Sequence, residues 1–504
     1  MKTSFTPPLA ALTASAALAL AGCSVGPDYH RPAALPAQTI AAAYTTGESN
    51  GVVWKIAEPA AAFPRGAWWR IFSDRELNRL ETLAATNNQD IVAAVARLQQ
   101  ARDVLAGARS EFYPQVAAGG TPGGDFSRQR TSANQPQAGL PAGASHVYNT
   151  YTAPVYLGWE VDLWGRVRRL SEAAHARYVA SADDLESGKL DVAAEVAADY
   201  FSLQSLNDEY ALIANTIETY RRSLELTENR RRGGVVSDLD VAQAATQLHS
   251  AEAQLPDIEL RREQTRHALA ILCGRSPIDF TVSTNQPEIA TVPDIPPGVP
   301  AELLEHRPDV AAAERRMAAA NADVGVAKAA FFPAVKINGA AGVQSISAGT
   351  LFDWPSRFWS VGPTLELPLF TGGFNTANLN RTRAAYDEVV AGYRQTVLGA
   401  IGDVEDSLAA QRWLADEWGA ENQAVVAASH ALDIANNRYR AGLVTYLDVA
   451  TAQTAALVQE QAAVQLQGAR LTACVNLIKA LGGGWDVTSQ QAMAGRNSPG
   501  PVQR

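Results

Sequence analysis

The chain has 504 residues, 47% hydrophobic and 19% charged, so it carries ample apolar surface for a buried core. Its formal net charge of -10, with no block of Lys and Arg, argues against nucleic acid as a partner. The 7 histidines lack metal-ligand spacing such as H-E-x-x-H, and neither G-x-S-x-G nor a phosphate loop occurs, so no enzyme is expected and no cofactor.

Met1 and Lys2 give a minimal basic start, Leu9 to Leu20 is a short apolar run, and Leu20-Ala21-Gly22-Cys23 follows. That run is too short for a hydrocarbon core of ~30 Å, so residues 1–22 are expected to be a signal peptide. Small residues before a cysteine resemble the bacterial lipobox, which implies covalent lipid on Cys23. Ser24 after it resembles the pattern for an outer-membrane destination. Several acyl chains anchor a protein stably. GPDYHRP, Gly26 to Pro32, is too Pro-rich for regular structure, and residues 23–67 read as a lipid-anchored tether.

Residues 68–274 make a first repeat. Helical periodicity runs from Trp68 to Arg102 through Leu77, Leu80, Ile91, Val95 and Leu98, with Ser73 as the expected cap. Beyond Pro114 the period falls to two. Val155, Leu157, Trp159 and Val161 alternate with Tyr156, Gly158, Glu160 and Asp162, which predicts a strand with one greasy and one polar face. Gln115 to Phe126 is its expected partner, across a long polar loop. A helical pattern then runs from about Gly165 to Arg232 without a proline. Leu203, Leu206, Tyr210, Ile213, Ile217, Tyr220 and Leu224 within it have the spacing of a coiled-coil seam. A tip, NRRRGGVVSDLDVAQAA from Asn229 to Ala245, leads into a returning helix that Pro256 is expected to kink.

Residues 275–307 hold Pro277, Pro287, Pro293, Pro296, Pro297 and Pro300 and read as a Pro-rich equatorial connector. Residues 308–484 then repeat the first half: Asp309 falls on Asp90 and Pro333 on Pro114 at an offset of 219. Val335, Ile337 and Val343 lie on one alternating strand, and Val361, Leu365 and Leu367 on its partner. Phe352, Trp354, Phe358 and Trp359 beside them form either an interfacial aromatic belt or a packed loop. A second Pro-free helix, from about Asn375 to Arg440, ends in NRYRAGLVTYLDVATAQ, and a returning helix reaches Leu481 before Gly482, Gly483 and Gly484. Residues 485–504 are a tail.

One offset of 208 superposes the tips, placing Asn437 on Asn229, Gly442 on Gly234 and Asp448 on Asp240. In each, a Gly can end one helix in the left-handed conformation, and Ser237 or Thr445 can cap the next. Cys273 and Cys474 lie at unequal heights under the repeat, so both are expected to be buried and unbridged.

Four strands with one apolar face, behind a lipid anchor, cannot close a barrel alone, and backbone groups cannot stay unpaired in lipid. Several copies must pool their strands, and their long helices would continue the barrel as a tube. A lipid-anchored coiled-coil scaffold or adaptor that never spans the membrane is the competing reading. Such a scaffold has no need of strands with a lipid-compatible face.

AGCSVGPDYHRP at Ala21 to Pro32, WWRIFSDRELNRL at Trp68 to Leu80, IPPGVPAELLEHRPDVAAAER at Ile295 to Arg315, the two tips and LGGGW at Leu481 to Trp485 together resemble the TolC/OprM outer-membrane factor family, lipoprotein branch. The resemblance covers nearly the whole chain. It implies a mainly α fold with membrane β: a long α-helical coiled-coil barrel crossing the periplasm, and four strands per chain in a shared, twelve-stranded β-barrel. It further implies a homotrimer in the outer membrane that passively conducts drugs or other small molecules. A periplasmic membrane-fusion adaptor would dock at the tips, and an inner-membrane transporter, of the RND type, would deliver the cargo.

Carried over by residue, the family places a periplasmic gate at Asp448, with Asp240 as its first-half counterpart, and makes Tyr439 and Arg440 the residues that hold the helices closed. Adaptor docking falls on Gly234, Val235 and Ser237 and on Gly442, Leu443 and Thr445. Thr451 departs from the family pattern, where a second Asp is common, so a double acidic constriction is not expected. Three copies of Asp448 near one axis would make a negative ring that favours cations. Asp240 and Asp448 are equally first-turn helix acids favoured by the dipole, and both roles can hold at once.

Overall fold

The computed structural model describes residues 25–32, 48–49, 52–53, 66–119, 125–130, 147–283, 293 and 307–483. The signal peptide, Cys23, most of the Pro-rich connector and the tail from Gly484 lie outside the described residues. The chain folds as two compact units, and each unit draws on both sequence repeats. The duplication therefore does not make one domain per repeat. Each repeat gives its hairpin to the first unit and its tip to the second.

The first unit, from Met1–Pro32, Leu98–Ser181 and Ala313–Tyr393, holds one antiparallel sheet. Its strands are β1 (Gln115–Ala118), β2 (Asp125–Arg130), β3 (Val147–Val161), β4 (Ala334–Ser345) and β5 (Arg357–Glu366). The expected partner of β3 is two segments, not one, because β1 and β2 pair successively along the same edge of β3. Gly119 follows β1, and its N–H reaches Pro154 O at 2.8 Å. The order is then β3, β4, β5, so four strand positions are filled as the sequence pattern requires.

The register aligns Val116, Leu157, Gly339 and Val361 in one row and Val161, Val335 and Leu365 in another. On the opposite face Glu160 meets Lys336, Lys336 Nζ reaches Glu366 Oε2 at 2.9 Å, and Asn338 Nδ2 donates to Thr364 Oγ1 at 3.0 Å. Because side chains alternate between faces, the sheet is a single wall, apolar on one side and polar on the other. Val116 (66%), Trp359 (78%), Val361 (64%) and Leu365 (66%) are exposed, far more apolar surface than water tolerates on one sheet face. Among the described residues β1, β2 and β5 each pair on one side only, leaving two edges open. No described helix is long and apolar enough to cross a membrane.

Residues 25–32 form no helix or strand, as their prolines dictate, yet they dock within the first unit. Val25 N–H donates to Trp164 O (2.9 Å), Asn321 Nδ2 to Pro27 O (3.0 Å), Arg169 Nη2 to Asp28 Oδ1 (2.7 Å) and Arg31 Nη2 to the Tyr393 hydroxyl (2.8 Å). Gly26, at φ +132°, lies so close to Gly325 that an added Cβ would sit 2.7 Å from its Cα. The prolines prevent regular structure, but side-chain bonds and a glycine-to-glycine approach still dock the stretch.

The second unit, from Ala33–Arg97, Ala182–Ala312 and Arg394–Arg504, is helical among its described residues apart from the short Glu48–Ser49 and Val52–Val53 pair. Asp74, not Ser73, caps α1 (Arg75–Asn87): its Oδ1 accepts from Glu76 N (2.7 Å) and Leu77 N (3.0 Å), while Ser73 is left-handed at φ 52°. Asp74 Oδ2 also accepts from the buried Tyr200 hydroxyl at 2.7 Å. The expected single helix breaks at Asn88, whose Oδ1 caps α2 (Gln89–Ser110) through Asp90 N and Ile91 N.

The two Pro-free stretches are α3 (Arg166–Arg232) and α7 (Phe374–Arg440), each of 67 residues and continuous. Between them come α4 (Asp238–Glu252), α5 (Gln254–Leu272) and α6 (Pro308–Ala329), and α8 (Tyr446–Ala480) ends the chain's described helices. Pro256 interrupts the first returning helix at the single residue Ala253, which stays right-handed at φ -69° and ψ -20°, as a proline kink does, since proline lacks an N–H and its ring crowds a carbonyl one turn back. Its counterpart under the repeat, Val464, permits α8 to run unbroken. Ile213, Ile217 and Tyr220 of the predicted seam pack with Leu248, Ala251, Ile258 and Leu457, so the seam lies between α3 and both returning helices. Cys273 and Cys474 are free and buried, and burial pushes their thiols up to about 11 and about 12.

Candidate functional site

Both tips are built by the same local chemistry. In the first, Gly234 N–H donates to Arg231 O (2.8 Å) and Val235 N–H to Arg230 O (2.9 Å), with Gly234 at φ +73°. In the second, Gly442 N–H donates to Tyr439 O (2.9 Å) and Leu443 N–H to Arg438 O (2.9 Å), with Gly442 at φ +74°. These bonds close the last carbonyls of α3 and α7, and only glycine takes that conformation without strain.

Each returning helix starts with a cap and an acid three residues on. Ser237 N–H donates to Asp240 Oδ2 (2.9 Å) and Asp240 N–H to Ser237 Oγ (3.4 Å), while Thr445 N–H and Oγ1 reach Asp448 Oδ2 at 3.2 and 3.0 Å. The two acids then part company. Asp240 Oδ1 also accepts from Tyr446 N–H at 3.3 Å, the first residue of α8, so one carboxylate satisfies helix starts on both tips. Partial burial works against its charge, but the bonds from Ser237 and Tyr446 outweigh it and hold the carboxyl below the usual aspartate range. Asp448 is exposed and bonds only within its own tip among the described residues.

Tyr439 does not project into solvent. It is 4% exposed, packs edge to face on Tyr446 with ring centroids 5.6 Å apart, and its hydroxyl lies 3.3 Å from Thr227 Oγ1. The Arg230 guanidinium sits 4.6 Å above the Tyr439 ring and donates to Tyr439 O (2.7 Å) and Arg440 O (3.4 Å). A cation from the end of α3 thereby closes carbonyls at the end of α7. Tyr446 continues the contact inward: its hydroxyl donates to Gln453 Oε1 (3.2 Å), and Gln453 Nε2 reaches Ser223 Oγ (3.4 Å). Arg440 itself is exposed, and its backbone carbonyl rather than its side chain enters this cluster.

The structure thus brings Tyr439 and Asp240 into one latch between the tips and leaves Arg440 and Asp448 at its surface. Arg230, Thr227, Tyr446, Gln453 and Ser223 were missed in the sequence. Arg230 is masked by symmetry, because Arg438 repeats it. A signal did exist: Tyr446 stands where the first tip has Asp238, so both departures toward an aromatic fall in the second tip, seven residues apart.

The predicted docking residues are open. Val235 (66%) and Leu443 (70%) are exposed, as are Leu239 (65%) and Leu447 (56%), each the second residue of its returning helix. No group of acids, histidines and cysteines suited to a metal ion occurs among the described residues.

An open wall of strands with one apolar face, in a chain whose paired long helices end in latched tips, defines an outer-membrane channel subunit. The outer membrane efflux protein profile matches residues 80–275 and 299–483, once in each repeat, and the chain belongs to that family. It is 34% identical over 475 residues to outer membrane protein OprJ of Pseudomonas aeruginosa, covering 93% of this chain and 95% of that protein. It is 33% identical over 480 residues to the toluene efflux pump outer membrane protein TtgC of Pseudomonas putida, covering 94% and 96%. The solved outer-membrane channel OprN superposes with a TM-score of 0.80 at 29% identity, over 92% of this chain and all of that one. The chain is an outer-membrane efflux channel protein, and not an enzyme.

Proposed function

We propose that this chain is the exit duct of a tripartite efflux pump and that three copies pool their strands into one barrel. The observation that carries this is the sheet: a wall with exposed Trp359, Val361 and Leu365 on one face, Glu160 and Lys336 on the other, and two open edges. Only closure with further copies satisfies those edges in lipid. The scaffold reading leaves both features without a purpose.

Lipid on Cys23 would add an anchor beside the barrel. The tips supply the periplasmic end. Asp448 from three copies would form the negative ring, and the Tyr439 latch would hold each pair of hairpins closed. Val235, Leu239, Leu443 and Leu447, exposed at equivalent places on the two tips, offer an apolar surface for a membrane-fusion adaptor, with an RND-type transporter behind it.

Two measurements test this. In planar bilayers, Asp448→Ala lowers cation selectivity and alters single-channel conductance; an unchanged channel removes the ring. Leu443→Asp, checked for intact trimer, abolishes adaptor pull-down and efflux together; undiminished pull-down removes the tips as the docking surface.

A further inference from the structure

Glu81 on α1 is 1% exposed, and its Oε1 has no hydrogen-bond partner among the described residues. Its helical neighbours on the same face, Leu77, Leu80 and Ala84, are buried and apolar, so an apolar residue would serve packing better. Glu81 lines a cavity of about 350 Å³ together with Trp68, Trp69, Ile91, Leu190 and Val192. That size lies at the small end of the range for organic ligands. The two indoles meet edge to face with centroids 5.8 Å apart. From α3, Lys189 and Glu186 also line the cavity, but they pair with each other at 2.8 Å, and both are partly exposed. Cys273, at the end of α5, is the other ionisable group of a neighbouring element that feels the Glu81 charge.

We propose that this cavity binds a small organic cation with an apolar body, such as an aralkylammonium ion, with Glu81 as the counter-charge and the indoles of Trp68 and Trp69 as the walls. A buried carboxylate whose Oε1 has no partner is stabilised by a positive charge beside it, and indole faces attract the same charge. A neutral alcohol of the same shape leaves the carboxylate uncompensated, so the site discriminates by charge. The site is distinct from the tips and from the sheet.

Burial holds the empty acid well above the usual glutamate range, so it is protonated at mild acidity. The cation favours the ionised form, and binding therefore tightens as pH rises. Lys189 and Glu186 are engaged with each other, and the raised Cys273 thiol keeps its proton across that range, so none of them imitates this.

The test uses the purified full-length trimer, with phenethylammonium as the probe, 2-phenylethanol as its neutral control, and calorimetry with tryptophan fluorescence as readouts. Saturable phenethylammonium binding is expected, weakening about tenfold or more between about pH 8 and about pH 5, with the alcohol showing no such change. Glu81→Gln keeps shape and fold and is expected to lose the cation and the pH dependence. Its apo protein should melt higher at neutral pH, since a buried acid no longer has to ionise. Equal affinity in Glu81→Gln, equal affinity for the alcohol, or no saturation up to roughly 10 mM, the range of millimolar binding, overturns the proposal.

Discussion

The two tips share backbone, caps and glycines, yet the same pair of positions is filled in opposite ways. Arg231 and Asp238 form an ion pair on the first tip, with side chains 53% and 78% exposed. At the equivalent positions of the second tip, Tyr439 and Tyr446 stack edge to face and are 4% and 1% exposed. An exposed ion pair contributes about 0.2–1 kcal/mol. Fully burying a large apolar side chain contributes about 1.5–3 kcal/mol, and an aromatic pair adds roughly 0.5–1.5 kcal/mol. The first tip is thus a hydrated turn that lends Arg230, Thr227 and Asp240 to its neighbour, while the second is the packed centre of the latch. A duplicated element diverges where one copy becomes the core of the pair and the other its surface.

Tyr439→Ala attacks that difference most strongly. Emptying a buried aromatic site costs about 3–5 kcal/mol, so amide exchange across 437–447 should accelerate sharply and channel conductance should rise. Retained protection would show that the aromatic pair is not the centre. Asp240→Ala comes next, since losing hydrogen bonds to a charged group costs roughly 1.5–3 kcal/mol. Exchange should quicken on both tips, whereas Asp448→Ala should affect the second tip alone. Equal patterns from the two variants would deny the cross-tip bond to Tyr446.

The pH response follows from the same carboxylate. Its folded value is depressed, so its stabilisation is complete above the ordinary aspartate range near ~3.9 and is lost as pH falls through the folded value. Acid below about pH 4 should therefore loosen both tips in the parent protein. Asp240→Ala should show no such step at the bond between the tips. Arg231→Ala is the smallest effect expected, below about 1 kcal/mol. A loss as large as that of Tyr439→Ala would erase the contrast between the tips.

Much of this was readable along the chain because the relevant periods are local. The Leu203 to Leu224 seam, the alternation of Val155 to Val161 and the paired Gly and capping residues each depend on neighbours a few positions away. The cap at Asp74, the interruption at Asn88 and the split partner strand were not readable, since each is decided by a distant group. Asp74 is fixed by Tyr200, Asn88 by the Leu272 carbonyl, and β1 and β2 by the length of β3.

The Pro-rich stretch after Cys23 carries the same lesson. Its composition forbids helix and strand, but only the positions of Gly325, Arg169 and Tyr393 determine that it docks.

By itself, then, the sequence determined the duplication, the strand faces, the long uninterrupted helices and the turn chemistry of both tips, because those follow from periodicity and backbone preference within one stretch. Tertiary structure alone decided that the repeats share two units, that Glu81 is buried with its Oε1 unpartnered among the described residues, and that Asp240 rather than Asp448 joins the tips. A hydrogen bond or a desolvated charge depends on what lies across the fold, and residues 206 positions apart, such as Asp240 and Tyr446, meet only once the chain has turned back.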